Sequence, residues 1–555
     1  MDGTPTPGLP VASRLDRRRR PRARWWSVPG AVRITSHAAV WAAALVPMFA
    51  ELSRGWRPFG DDAAIASRSY QVLSLHPPLT GLASAASTGT GHTVFDPGPL
   101  LFFLLSVPVR IDPAHGLLWG AAFFGAAVLS VSIEAAWSGG RWLAGAAVAF
   151  AALDLVWLTP AVFENLAWNA YFPLPFFIAA VVLAWVVSTG ATGWWPVLVF
   201  AASVAAQCHL IFLVPGVVLT VVALAFGLFG TRPPRRLRWL GIGLGVGVLC
   251  WLAPLIQELG GRGNLTALFR AGRGQATLGL GFGLRMVGLA GAPHPVWLTH
   301  LPSTFDSIVA LEYAHAPWYG GLVLGLLGVI TVVALTTGRR VLGALGAVSF
   351  AVSAGMVVSF AVFPHKNFIS LDYLVDVLWV VGVLVWAVVV WAALSVGWVV
   401  LLRARRATAV APPIGRTGAL APWAGALAVA ALAIVGVLGI RPAVTRPGEI
   451  DWNPSDVALV ARAATAIERA VPVGPVGIQV ALATPAPPSL RLFFFFLVTW
   501  STEGVAFRLE ADGWRPGVSA DAASYTGLAI PPDAHWPSFL ITLRGARVAS
   551  VAKVR

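Results

Sequence analysis

Residues 34–62 read ITSHAAVWAAALVPMFAELSRGWRPFGDD, an apolar run over 34–52 followed within ten residues by the adjacent carboxylates of Asp61 and Asp62. As a helix, that run is long enough to cross the hydrocarbon core of a bilayer. Before it lie arginines at 17–20, 22, 24 and 33, and a basic cluster ahead of a first span stays on the cytoplasmic side. The acid pair therefore emerges on the outer surface, a few residues beyond the membrane. A cleaved signal peptide also places basic residues before an apolar core. Here the core is long and further apolar segments follow it.

The rest of the chain has the same character. Of its 555 residues 57% are hydrophobic and only 11% charged, where soluble domains run near half and a quarter; mean hydropathy is +0.76. Spread over such a length, this means many apolar segments with the bilayer as their solvent, and it excludes an ordinary soluble enzyme, a disordered chain, collagen and a coiled coil. Basic residues number 39 against 24 acidic, for a net charge of +15, and Lys366 and Lys553 are the only lysines. The arginines fall in short clusters between apolar segments, which membrane orientation explains without a polyanion, so no nucleic acid is expected as a partner. The wealth of Arg, Ala, Gly and Trp fits a GC-rich, actinobacterial-like genome. Cys208 and Cys250, both in apolar segments, make neither a disulfide framework nor a metal cluster by themselves.

Further spans are expected over 116–136, 142–158, 172–187, 195–210, 212–229, 239–256, 318–335, 341–362, 374–402 and 419–440, about eleven in all with the first. From an inside start, that count places the arginines at 141, 232–238, 339–340 and 403–406 on the cytoplasmic face. Residues 100–111 are apolar but too short to span and are bracketed by prolines; they read as an interfacial helix on the outer surface. The expected fold is thus an α-helical polytopic membrane protein with a small C-terminal α/β extracytoplasmic domain. Its parts are a basic cytoplasmic tail (1–30), a transmembrane domain (31–440) with outer loops near 53–115 and 258–317, and a soluble outer domain (441–555). The last part gains Asp, Glu, Ser and Pro, with a helix near 456–470 and strands at 476–481 and 539–543. Within it the run Phe493 to Phe496 is core or a membrane-docking edge, being far too short to span.

Chemistry is expected first at Asp61 and Asp62. Adjacent carboxylates on a short loop can divide labour, one acting as general base on a hydroxyl while the other orients a partner or neutralises a cation. A solvated loop pair is the plain alternative. The scarcity of acids in the chain and the position at the interface, where a lipid-borne substrate would lie, favour the chemical reading. Downstream follow His76-Pro77-Pro78-Leu79, Gly89-Thr90-Gly91-His92, and Asp96-Pro97-Gly98-Pro99-Leu100 leading into the interfacial helix.

An acidic pair after the first span, proline-rich elements before an amphipathic helix, and this topology together resemble the GT-C superfamily of polyprenyl-phosphate-dependent glycosyltransferases. The neighbourhood is that of protein mannosyltransferases, aminoarabinose transferases and actinobacterial arabinofuranosyltransferases. The motifs cover roughly the first 210 residues, and beyond them only topology agrees. The resemblance implies an inverting transfer at the outer face, with a first-loop aspartate, Asp61 or Asp62, as base on the acceptor hydroxyl and polyprenyl phosphate as leaving group. Asp96 stands where many relatives carry histidine before Pro-Gly-Pro-Leu, and whether His92 substitutes for it is left open. The next outer loop of the superfamily often supplies a second acid, which would be Glu164. Glu164 and Asn165 can equally cap helix ends, and Trp168 with Tyr171 can belong to an aromatic belt or stack on sugar.

Other polar groups lie at outer ends of spans. His209, in Gln207-Cys208-His209, sits at a turn where an uncapped polar group at membrane depth would be costly. His365 and Lys366 end a span on the outer side; Lys366, the only lysine of the membrane domain, would neutralise a leaving phosphate there or merely snorkel to the interface. Arg262, Arg270, Arg273 and Arg285 put positive charge on an outer loop, for phosphate recognition or because long loops translocate regardless. The glycine-rich stretch 272–283 lacks Walker spacing, and His294, His300, Glu312 and His315 fit no zinc signature. The expected partners are a polyprenyl-phosphate sugar donor, a glycan, lipid or protein acceptor, and membrane lipid. No cofactor is assigned, with a divalent cation as an option. A transporter or lipid flippase, for which Glu134 and Asp154 are the main in-span acids, and a non-catalytic envelope assembly protein are the rival readings.

Overall fold

The first apolar run forms helix α1 (Val28–Ser53) of a computed structural model that describes residues 28–87, 93–158, 165–229, 236–271, 275–293, 316–365, 375–407, 430–431, 434, 454–483, 491–518, 535–544 and 547–554. A paired terminating motif ends α1: Trp56 N–H donates to Glu51 O at 3.1 Å and Gly55 N–H to Leu52 O at 3.0 Å, with Gly55 at φ 88°. That left-handed residue is what lets the chain leave the helix within one turn. It delivers the next segment to α2 (Asp61–Gln71), which the proline-led α3 (Leu100–Ile111) packs against.

The expected spans over 116–136 and 142–158 lie together in α4 (Gly116–Leu158), which folds back on itself. A Cβ at Gly145 would lie 3.5 Å from Ile133 Cγ2. A straight helix would separate residues twelve apart by about 18 Å. Helix α5 (Pro173–Ser188) is apolar on every side and buried almost throughout, as expected of a helix at the centre of a bundle. Around it stand the hairpin α4, α6 (Trp195–Cys208), α7 (Leu213–Phe229) and α12 (Arg340–Ala361), while α8 (Arg236–Gln257) packs on the outside of α6.

Among the described residues, seven helices are long and apolar enough to cross a membrane: Gly30–Ser53, Gly116–Gly139, Leu210–Phe229, Arg236–Gly261, Pro317–Thr336, Arg340–Ala361 and Val377–Gly397. The expected spans over 142–158 and 172–187 coincide with the shorter apolar helices Leu143–Leu155 and Pro173–Ser188, and that over 195–210 with α6. The span expected over 419–440 lies outside the described residues except for 430, 431 and 434.

The region read as one long outer loop, 258–317, is largely helical where it is described. It holds α9 (Asn264–Ala271) and α10 (Gly279–Ala290), which packs on α11 (Pro317–Thr336) and α12. Glycines disguise α10 as loop. They lower helix propensity, yet they let backbones approach closely, and a Cβ at Gly283 would collide with the Val357 carbonyl of α12. Helix α13 (Val377–Ala407) completes the described membrane domain.

The tail is an α/β unit of α14 (Pro454–Ala470), β1 (Pro475–Leu482), α15 (Arg491–Ala511), β2 (Arg515–Val518), β3 (Ser538–Leu543) and β4 (Val548–Lys553). Strand order is β2-β1-β3-β4, parallel except for the antiparallel β3–β4 pair. The helix and both strands expected here are present. In α14, Leu459, Ala463 and Ile467 repeat at helical spacing, and in β3, Phe539, Ile541 and Leu543 alternate, so both turn one apolar face to a common core. Helix α15 was not expected. Phe493 to Phe496 belong to it, and their side chains lie outside the described residues.

Candidate functional site

Asp61 and Asp62 open α2, where free amides and the helix dipole suit carboxylates. The residue before them is Gly60, at φ 59° and ψ −134°, a conformation open to glycine and strained for other residues. Space demands glycine as well, since a Cβ there would sit 2.9 Å from Cγ of Trp500 in α15. Phe59 meets the same indole edge-on, with ring centroids 6.1 Å apart.

Asp61 is held from two sides. Trp168 Nε1–H donates to its Oδ2 at 2.9 Å, and the Trp500 side chain bonds it as well. Desolvation raises its carboxyl above the ordinary range, and these two hydrogen bonds oppose that shift. Asp62 differs. It is half-buried, but its Oδ1 is shielded from solvent with no hydrogen-bond partner among the described residues. Burial, and then the charge of Asp61, push its carboxyl up to about 7.

Asp96 joins them from the far side of the same loop. It is 3% exposed and accepts from Asn169 Nδ2 at 3.1 Å; burial lifts it to about 8, against hydrogen bonds from Asn169 and Ser84, with the charge of Asp61 adding to the rise. A short antiparallel contact fixes its backbone: Asp96 N–H donates to Leu82 O at 2.7 Å, and Gly81 N–H to Asp96 O at 3.0 Å. The long segment after α8 clamps the neighbouring residue, because Asn264 both accepts from Phe95 N–H (2.9 Å) and donates to Phe95 O (3.0 Å). Just after Asp96, Gly98 packs so closely on Gln207 that a Cβ would collide with its amide.

Of the residues named from sequence, the structure gathers Asp61, Asp62 and Asp96 into one cluster. Asn165 lies in the adjoining turn, its carbonyl accepting from Trp168 N–H at 3.0 Å, and Asn169 in the same turn donates to Asp96. His209 caps the turn after α6, with Nδ1 accepting from Ile211 N–H at 3.3 Å. His76 is exposed beyond the C-terminal end of α2, so the helix separates it from the acid pair. His365 is also exposed, on a turn whose amide donates to Ala276 O at 2.9 Å. His92, Glu164 and Lys366 lie outside the described residues. Among the described residues no group of three His, Cys, Asp or Glu side chains is placed to hold a metal ion.

Sequence reading missed what the tail contributes. Glu503 of α15 is 2% exposed with Oε2 unpartnered among the described residues, and burial followed by the charge of Asp61 hold its carboxyl well above the usual range. One signal was available, a lone acid in the otherwise neutral run Trp500-Ser501-Thr502-Glu503-Gly504. The two acids read as in-span both have partners: Glu134 pairs with Arg33 and His37, and Asp154 accepts from Trp379 Nε1 at 2.9 Å.

No protein-family model matches the chain, and no curated protein matches it. Among solved structures it is similar to the archaeal oligosaccharyltransferase AglB from Archaeoglobus fulgidus in complex with an inhibitory peptide and a dolichol-phosphate. That alignment has 11% identity and a TM-score of 0.36, and covers 91% of this chain and 69% of that one. It is likewise similar to the crystal structure of the Archaeoglobus fulgidus oligosaccharyltransferase in the apo form, at 12% identity and a TM-score of 0.35, covering 89% of this chain and 64% of that one.

Proposed function

We propose that this chain is a membrane glycosyltransferase of the GT-C kind, moving a sugar from a polyprenyl-phosphate donor to a cell-envelope acceptor at the outer face. Asp62 acts as base. It takes the proton of the acceptor hydroxyl as that oxygen bonds to the anomeric carbon, while the bond from that carbon to the phosphate oxygen breaks and polyprenyl phosphate leaves with the electron pair. Attack opposite the leaving group inverts the anomeric configuration. Asp61, tied to two indoles, orients the acceptor, and Asp96 with Asn169 forms the opposite wall. His365 and Lys366 are assigned to the phosphate side.

The observation that carries this reading is the contrast between the two adjacent acids. Asp61 has its lone pairs engaged by Trp168 and Trp500, whereas Asp62 keeps a shielded oxygen, unpartnered among the described residues, and a carboxyl near 7. A buried acceptor group without a donor is unfavourable unless something else occupies it, and a base titrating near neutrality is matched to proton abstraction from a hydroxyl.

The test is the lipid content and activity of Asp62→Asn. Mass spectrometry of lipids co-purifying with the folded variant is expected to show a trapped polyprenyl-phosphate sugar, and transfer is expected to fall at least about a hundredfold. Bulk phospholipid alone, or undiminished transfer, overturns the mechanism.

A further inference from the structure

The contact between α2 and the tail helix α15 is built from both sides. Phe59, from the segment before α2, packs on the core of the tail, and Phe507 of α15 belongs to the core of the membrane domain. Between these exchanged rings lies a polar seam. At one end Trp500 fills the space that a side chain at residue 60 would need, and Glu503 lies where the charge of Asp61 acts on it. At the other end Glu510 accepts hydrogen bonds from Ser67 and from Gln71 Nε2, the latter at 3.0 Å, with Arg68 and Arg110 close enough to favour its charge. Thr499, Ser501, Thr502 and Glu503 are all buried. A helix face that docked only to hide apolar surface would not enclose an acid with an oxygen unpartnered among the described residues, a costly arrangement unless the group has a task.

We propose that α15 is a wall of the site, with Glu503 a positioning residue that sets the pose of Asp61 and the Glu510 contacts a latch that holds α2 against the tail. The acceptor role of the site rests on the glycosyltransferase reading; the docking does not. Burial and the neighbouring carboxylate both favour the neutral form of Glu503, which presents an O–H donor rather than a third anion. From α2 the charge of Asp61 acts on Glu503, and it acts on Asp62 and Asp96 as well. On α15 itself, Trp500 bonds Asp61, Arg508 pairs with Asp512 at 2.8 Å, and Glu510 is engaged by α2. From α14 the neighbour is apolar, since Val460 lies over Gly504. Ionisation of Glu503 sets like charges against each other and pushes α2 away.

The experiment uses the full-length protein in lipid nanodiscs with the variants Glu503→Gln, Glu503→Leu and Glu510→Ala. Hydrogen–deuterium exchange over residues 61–71 reads the docking without substrate. Glu510→Ala is expected to speed exchange there about tenfold. In the wild type, protection corrected for intrinsic exchange should decline at alkaline pH, and Glu503→Gln should make that decline smaller, leaving the part that Asp96 contributes. Where transfer is measured, Glu503→Gln should stay within about threefold of wild type and show a smaller alkaline fall in rate, while Glu503→Leu should lose at least about tenfold in kcat with little change in donor KM. Unchanged protection in Glu510→Ala removes the latch, and an alkaline decline as large in Glu503→Gln as in the wild type removes the positioning role. If the exchange results hold but wild-type protein transfers no sugar, the glycosyltransferase reading fails and the docking stands.

Discussion

At the scale of single residues, the site turns on how neighbouring acids are made unequal. Burial pushes Asp62 up to about 7, so under the proposed mechanism the rate should rise with pH through that value as this base loses its proton. The pH dependence of kcat/KM checks this: an acidic limb near neutrality in the wild type, absent in the residual activity of Asp62→Asn. Asp96 bears on stability. Its folded carboxyl is raised to about 8, so the folded state holds the proton more tightly than the unfolded one; the benefit is complete below about pH 4 and lost as pH rises through about 8. Asp96→Asn should therefore gain thermal stability relative to wild type as pH increases over that window, measured as Tm against pH. Trp168→Phe keeps the ring and removes the donor to Asp61, at an expected loss of about 1 kcal/mol in stability with a larger loss in transfer. The acid pair was legible in the sequence because two adjacent carboxylates stand out in so apolar a chain. The hydrogen bond from Asn169 to Asp96 was not, because only the turn geometry points that side chain at the acid.

At the scale of elements, the junction between Gly60 and α2 is the stress point. A side chain at residue 60 must adopt a left-handed φ and displace Trp500 together, so Gly60→Ala is expected to cost about 1–3 kcal/mol and to loosen both α2 and α15. Thermal unfolding and hydrogen exchange of the two helices would show it. Asn264 presents a milder case. Its amide closes a pair of backbone bonds on Phe95, and Asn264→Ala leaves that backbone unpaired in a half-buried place, for about 1–3 kcal/mol and a less ordered Asp96. Both devices join segments far apart in sequence. Helix α10 shows how composition misleads at this scale: its glycines read as loop, yet they serve as surfaces for close helix packing.

At the scale of the whole molecule, the exchanged rings of Phe59 and Phe507 make the tail part of the membrane domain's working structure. On the proposed glycosyltransferase reading, removing residues from 454 onward should abolish transfer while the polyprenyl-phosphate donor still co-purifies, because that reading puts the donor side in the membrane domain; parallel activity and lipid mass spectrometry would show the split. Apolar helices, the adjacent acid pair at 61 and 62, and the helix and strands expected in the tail were determined by the sequence itself. Length, hydropathy and residue period act over a few neighbouring positions, and a bilayer leaves such segments little choice but helix. The meeting of Asp61 with Trp168, 107 residues away, and of Ser67 with Glu510, 443 residues away, was decided only by the tertiary structure. Such contacts depend on how finished helices pack against one another, and no local pattern of residues records which polar groups that packing will bring face to face.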